Sequence, residues 1–477
     1  MTTIVRNRSA DEFFRRNPAD TDDVMGPYPK ATGERIDATI DAAARAQRAW
    51  AAVPAPARGD LILRAGALLR RRAGTIAATL TREEGKTLAE AKAEVEYASA
   101  VLEFIGGAGR WRVGDAAESA QPGTFVYTWR EPLGVVAAIT PWNFPVSIPA
   151  IKIASALVAG NAVVWKPALY TPASSLALAE CLRDAGLPDG VLGLVFGEAA
   201  AGGQIASDSR VRAVSFTGST AVGRTLAGRL AERGARAQLE LGGKNAVVVL
   251  ADADIDRAAR ETALAAFQSA GQKCTAASRV IVVPEVRAAF VEALVAHTER
   301  LTVGAPTGPA TVVGPLVHES AVERQLTEIT RATAAGARVL SGGERPDGDL
   351  ARGHYLMPTV LDRVAPDSPL ARTELFGPVL GVFGADDLDD ALRIVNGTDY
   401  GLAAAVYTRD LTSAFAFAAG CAAGKVKINS SPTGGDLHVP FGGWKDSGAG
   451  PKELGRSAVD FFSEEKTVYV NHAGGPA

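Results

Sequence analysis

Cysteine is scarce in this chain, with 3 in 477 residues: Cys181, Cys274 and Cys421. So few thiols make no disulfide framework, and a reducing compartment is expected. Long apolar runs are missing too. None reaches the roughly 18–20 residues needed to cross a bilayer, so no membrane partner is expected. The N-terminal stretch carries Arg6, Arg8, Asp11, Glu12, Arg15 and Arg16 where a signal peptide would place its apolar centre, which points to the cytoplasm. Charge of one sign is also lacking. A formal net charge of −3 leaves no basic footprint for nucleic acid. The run Arg70-Arg71-Arg72 sits among Leu and Ala at helical spacing and reads as a solvated helix face. There is no low-complexity tract, no internal repeat, and no group of residues that calls for a metal. No G-x-G-x-x-G follows a strand-like segment, so the ordinary dinucleotide fingerprint is missing.

What is present is a long, ordinary globular text. At 477 residues and 47% hydrophobic, the chain is too large for one core, and two or three domains are expected. From Asp37 to Leu102, apolar residues recur at three- and four-residue steps, which predicts helices. Residues 115–132 alternate and hold β-branched and aromatic side chains, which predicts an exposed strand or hairpin. Short apolar runs then alternate with helical segments. Strands are expected at Gly134–Ile139, Ala162–Trp165, Gly193–Phe196 and Ala213–Phe216, with a helix over Ser174–Asp184. That rhythm implies a parallel sheet covered on both faces. After Gly243 the pattern restarts: strands at Ala246–Leu250 and Val280–Val283, a helix near Asp256–Gln268, and a further α/β run through Ile428. Thr467–Val470 predicts one more strand.

Four short stretches carry residues suited to chemistry. Cys274 lies in the small-residue turn Gly271-Gln272-Lys273-Cys274-Thr275-Ala276 between a predicted helix and strand. A thiol is a nucleophile only as its thiolate, so such a Cys needs access and a positive or dipolar setting. Cys181 and Cys421 sit inside helical Ala/Leu text and read as inert core residues. Glu240 is flanked by Leu and followed by Gly-Gly, which suggests a partly desolvated carboxyl able to act as a general base, or one paired with Lys244. Asn143, between Pro141 and Pro145 at a strand's C-terminal end, is a fixed amide suited to an oxyanion, or simply part of a turn. Phe216-Thr217-Gly218-Ser219-Thr220 joins a strand to a helix and can meet a phosphate, or merely cap the helix.

Together these strings resemble the aldehyde dehydrogenase superfamily over about Asn17 to Val470. They are Pro-Trp-Asn-Phe-Pro at 141, Trp-Lys-Pro at 165, Phe-Thr-Gly-Ser-Thr at 216 and Glu-Leu-Gly-Gly-Lys-Asn at 240. Gly-Gln-Lys-Cys-Thr at 271, Glu-Leu-Phe-Gly-Pro at 374 and Pro-Phe-Gly-Gly-Trp-Lys at 440 follow in the family's order. The resemblance implies an α/β fold with two Rossmann-type parallel-sheet domains and a small β oligomerisation element. By it, residues 1–114 and 136–245 form the cofactor-binding domain, 246–445 the catalytic domain, and 115–135 with 446–477 the oligomerisation element and tail. A homodimer or homotetramer is expected.

The resemblance also implies roles. Cys274 would attack the aldehyde, with its own N–H and the Asn143 amide holding the oxyanion; Glu240 would activate the hydrolytic water, and Lys152 and Glu453 would relay its proton. Thr140, Trp142, Lys166, Gly218, Ser219, Leu241, Glu374 and Phe376 would hold NAD or NADP. Within that set, Lys166 would meet the adenosine ribose, Ser219 the pyrophosphate, and Glu374 and Phe376 the nicotinamide end. NAD-preferring relatives usually carry Glu three residues after the lysine, whereas this chain has Leu169. Loss of that carboxylate removes repulsion against a 2′-phosphate of about −1.5 to −2 charges, so NADP is expected to be accepted. Ile151 stands where the family commonly has Trp, which leaves the width of the substrate tunnel open.

Ile428 to Pro440 is similar to the 2-oxoglutarate semialdehyde (2,5-dioxopentanoate) dehydrogenases, implying an acidic semialdehyde as substrate. Arg110 and His438 are the candidates for its far end. Succinate semialdehyde, or broad aliphatic and aromatic aldehydes, remains the alternative. A thiol hydrolase is a remoter one, and would need one of the 5 histidines beside Cys274. A CoA-acylating enzyme would typically lack Glu240.

Overall fold

The computed structural model describes residues 12–111 and 114–472; Arg6, Arg8 and Asp11 of the charged N-terminal stretch lie outside the described residues. A hairpin of Glu12–Asn17 with Asp20–Pro29 leads into four helices, Gly33–Ala52, Ala55–Arg71, Ala73–Glu84 and Leu88–Trp111. Thr32 caps the first by accepting from the Arg35 N–H, and left-handed Gly85 stops the third. No helix among the described residues is long and apolar enough to cross a membrane.

Two large sheets follow. The first has six strands in the order Gly448–Ala449, Arg236–Glu240, Val211–Thr217, Val135–Ile139, Ala162–Lys166, Leu192–Leu194. All its pairings are parallel except that of the short edge strand Gly448–Ala449. Val135–Ile139 is buried at every position, as a strand covered on both faces must be. The second sheet has seven strands: Arg338–Ser341, Thr359–Asp362, Val379–Gly384, Ala277–Val282, Asn245–Val249, Ala403–Tyr407 and Lys425–Ile428. Only Arg338–Ser341 runs antiparallel to its neighbour. Each sheet is packed between helices around its own apolar core. A third, antiparallel sheet joins Ser463–Asn471, Thr124–Pro132 and Ala116–Glu118.

Three sequence expectations shift. The strand expected at Gly193–Phe196 is Leu192–Leu194, because the chain turns away before the next helix, Ala199–Ser207. Cys421 lies just past the helix Leu411–Gly420, as its C-cap, although it is buried as expected. The hairpin at 12–29 had no alternating apolar pattern to announce it, since Glu, Arg and Asp occupy much of both strands.

Candidate active site

The two large sheets bring opposite ends of their strands to one site. The first contributes the C-terminal ends of its strands: Thr140 after Ile139, Lys166, Thr217 and Glu240. The second contributes what precedes its strands: Lys244 before Asn245, Cys274 before Ala277, Glu374 and Phe376 before Val379, and Lys425 itself. A cavity of about 600 Å³ opens along this seam, lined by Cys274, Glu240, Glu453, Ile151, Thr217, Leu241 and Lys425 among others.

Cys274 is held by an unusual turn. Ser269, Ala270 and Gly271 all have positive φ (53°, 52° and 69°), so three successive residues wind left-handed between the helix Ile255–Phe267 and the thiol. A Cβ on Gly271 would lie 2.3 Å from Gly377 O, so only glycine lets this turn pack against the loop that carries Phe376. The Cys274 carbonyl accepts from Asn245 Nδ2 at 2.8 Å. Asn143 Nδ2 donates to Gln272 O at 2.9 Å, tying the amide to the cysteine's own loop and leaving its second N–H unspent. Behind it, Lys86 Nζ donates to the Asn143 carbonyl at 2.5 Å and to Glu94 at 2.6 Å. Glu94 in turn accepts the Val146 and Ser147 N–H groups and caps the helix Ser147–Val158. Cys274 as a residue is half-buried and reachable from the cavity, but its thiol sits among protein atoms. Burial pushes the thiol up to about 12; Lys425 pulls it down, against Glu374, Glu240 and Glu453.

Glu240 ends its strand and is buried. Its Oε2 finds no protein partner, and a Cβ on Gly442 would lie 2.4 Å from Oε1. Burial first, and Glu453 second, hold its carboxyl well above the usual carboxylate range. No ion pair joins it to Lys244 among the described residues. Lys152, fully buried on the helix Ser147–Val158, pairs with Glu453 and donates to Ser215 Oγ at 2.9 Å; Ser215 donates to Gln238 Oε1 at 2.8 Å. A polar chain thus runs inward from the cavity wall behind Glu240.

The groups expected around a dinucleotide form a trough at the point where the first sheet's strand order reverses, between Val135–Ile139 and Val211–Thr217. Thr140 Oγ1 accepts from Trp165 Nε1 at 2.9 Å. Trp142 packs edge-on against Phe376, with ring centres 5.5 Å apart, and Phe376 itself has φ 59°. Ser219 occupies the N-cap of the helix Thr220–Glu232, yet its side chain makes no capping hydrogen bond. Leu241 is buried, its methyls filling the space a Cβ on Gly223 would need. Glu374 accepts the Gly243 N–H at 3.0 Å, and a Cβ on Gly242 would lie 2.3 Å from its Oε2. Burial raises the Glu374 carboxyl to about 7.

Several polar groups here lack full partners. Among the described residues Thr217 Oγ1 has none, and Lys166, which burial lowers to about 8, finds only Pro167 O at 3.4 Å. The Thr217 hydroxyl, the Glu374 carboxyl and the weakly held Lys166 ammonium fit a polyhydroxylated, anionic group such as NAD or NADP.

Two expected substrate contacts are elsewhere. Arg110 sits near the end of the helix Leu88–Trp111 and pairs with Asp60 at 2.6 Å on an exposed surface. A guanidinium matched there has no reach into the cavity. His438 is exposed and does not line the cavity either; Thr433, Gly434 and Gly435, a few residues before it, do. No histidine lines the cavity with Cys274 among the described residues, so a thiol–imidazole hydrolase has no base there. The sequence reading missed Lys425. Two lysines alternating with Val426 and Ile428 on one short strand were the available signal, and nothing local says which face they take.

The model of the Aldehyde dehydrogenase family matches residues 4–468 of this chain. The alpha-ketoglutaric semialdehyde dehydrogenase of Bacillus subtilis (strain 168) is 39% identical over 468 residues, covering 98% of this chain and 96% of that protein. The 2,5-dioxopentanoate dehydrogenase of Saccharolobus solfataricus is 41% identical over 465 residues, 97% of this chain and 96% of its own. Among solved structures, an NADP dependent enzyme of E. coli superposes with a TM-score of 0.93 at 36% identity, covering 96% of this chain and 95% of that one. PnpE in complex with nicotinamide adenine dinucleotide superposes at 0.94 with 33% identity, covering 98% and 95%. With its thiol, carboxyl and amide gathered at one seam and matches across nearly its whole length, the chain belongs to the aldehyde dehydrogenase family.

Proposed function

We propose that this enzyme oxidises an aldehyde whose far end carries a carboxylate, with 2-oxoglutarate semialdehyde as the leading candidate. The observation that carries the chemistry is that Cys274 and Glu240 line one cavity, with Asn143 bonded to the cysteine's own loop. The two semialdehyde dehydrogenases at about 40% identity support the substrate class.

Cys274 adds to the aldehyde carbon, and the free N–H of Asn143 with the Cys274 backbone N–H stabilises the resulting oxyanion, a contribution of about 3–4 kcal/mol per donor in comparable sites. Lys166, Ser219 and Glu374 would hold a nicotinamide cofactor, which would supply the hydride acceptor needed to take the Cys274 adduct to a thioester. Glu240 then takes a proton from water as it attacks the thioester, and the raised pKa of this carboxyl makes it a competent base. Glu453, Lys152 and Ser215 give that proton a path inward. Loss of the carbon–sulfur bond releases the acid and restores the thiol.

Leu169, three residues after Lys166, is half-buried, and Lys166 has no anionic partner among the described residues; both features favour acceptance of a 2′-phosphate. NADP therefore serves alongside NAD in this reading. The three-stranded sheet would join the chains into a homodimer or homotetramer.

The test is a screen of 2,5-dioxopentanoate, succinate semialdehyde, benzaldehyde and pentanal with NAD and with NADP, following reduced-cofactor absorbance. Acidic semialdehydes should give the highest kcat/KM, and Cys274→Ala should give no reduced cofactor. Neutral aldehydes outrunning the acidic ones would remove the proposed substrate class.

A further inference from the structure

Three lysines face the cavity, and two are matched. Lys86 pairs with Glu94 at 2.6 Å, and Lys273 lies 3.6 Å from Glu90. Lys425 has no carboxylate partner among the described residues. Its Nζ donates to Gly434 O at 2.6 Å and lies 5.4 Å from the centre of the Phe441 ring. A carbonyl and an aromatic face are partial partners for an ammonium, and two of its three N–H groups stay free. The neighbouring acids do not make up the difference. Glu453 is committed to Lys152, and no ion pair joins Glu240 to Lys425 among the described residues.

The fold aims this cation on purpose of geometry alone. Lys425 and Lys427 are alternate residues of one strand, so they share a face. Their ammonium groups hold the carbonyls of Gly434 and Thr433, which fixes the 433–435 loop as a wall of the cavity. The wall facing Cys274 therefore presents one uncompensated positive charge in a partly dry site, where a bound anion would be strongly favoured.

We infer that Lys425 is the specificity-determining residue of this enzyme, holding the substrate's carboxylate while the aldehyde carbon meets Cys274. The inference rests on the acidic-aldehyde reading above and names the residue that enforces it. Burial lowers the Lys425 ammonium to about 8, and an anion seated against it would raise it again. The same charge favours the Cys274 thiolate for every substrate, so the deciding quantity is a ratio between substrates.

The experiment compares kcat/KM for 2,5-dioxopentanoate and for pentanal in the wild type, Lys425→Met and Lys425→Arg. Loss of a charge-assisted contact should lower the acid-to-neutral ratio in the Met variant by about ten- to a hundredfold, chiefly through KM for the acid. The Arg variant should recover part of it. A folding or thiol defect would lower both substrates together and leave the ratio intact, which would overturn the assignment. A wild type with no preference for the acid would remove the substrate class and this assignment together, whereas a preference retained by the Met variant removes only the assignment. Glutarate gives a reading without turnover. It should shield Cys274 from iodoacetamide in the wild type and not in Lys425→Met, and equal shielding in both would count against Lys425.

Discussion

Cys274 carries a thiol that its surroundings hold back. Burial pushes it up to about 12, so only a small minority of the thiol is ionised at neutral pH. Alkylation of Cys274 by iodoacetamide in the free enzyme, followed by peptide mass spectrometry, should therefore rise about tenfold per pH unit from pH 7 to 10. A plateau between pH 7 and 9 would show a thiol already ionised and contradict the burial argument. Glu240 acts later in the cycle. Glu240→Gln removes the base but leaves the nucleophile and oxyanion donors, so rapid mixing should show about one equivalent of reduced cofactor per site in a burst. Steady-state kcat should then fall by about 10²- to 10⁴-fold. Loss of the burst itself would place Glu240 in the first half-reaction instead.

At the scale of the element, reactivity depends on loops that glycine permits. Gly271→Ala forces a side chain towards Gly377 O and keeps an L residue at φ +69°, which should cost about 1–3 kcal/mol in stability. The variant should also lose about a hundredfold in kcat, because Cys274 lies three residues further on and a shift of about 1 Å suffices for that. Gly186→Ala is the control. It too has a positive φ, +101°, after the helix Pro172–Asp184, but nothing lies within 4 Å of its added Cβ. Melting temperature should fall for both variants, while only Gly271→Ala should lose turnover.

These loops also mark what sequence could and could not show. Val135–Ile139 and Ala162–Lys166 were legible because doubly covered strands are unbroken apolar runs. Cys274, Glu240 and Asn143 were each ambiguous alone and stood out because their strings occur together in one family's order. Lys425 did not, since its meaning lies in an unmatched charge across a cavity, which no local pattern encodes. Arg110 misled for the converse reason: an arginine near a helix end gives no sign that Asp60, 50 residues earlier, already takes it.

Over the whole molecule, the site is closed by segments distant in sequence. Gly448 pairs with Glu240, and Phe441 bridges Glu453, so the last tenth of the chain fixes the carboxyl that the first sheet presents. The last described strand, Ser463–Asn471, is an outer strand of the three-stranded sheet. Phe125 and Trp129 alternate along Thr124–Pro132, and Val470 stands opposite Phe125, so all three share a face. They are 48%, 58% and 43% exposed, which leaves an apolar patch beside the outermost strand. A second copy can cover both at once, and by symmetry each such contact counts twice. Trp129→Glu would place a charge where about 1.5–3 kcal/mol of burial per subunit is expected, so light scattering after size exclusion should show a shift towards monomer. The cavity and its charged wall lie in the two large sheets, so the dissociated variant should still titrate one reactive Cys274 per chain. An assembly unchanged by Trp129→Glu would mean that this sheet face does not join the subunits.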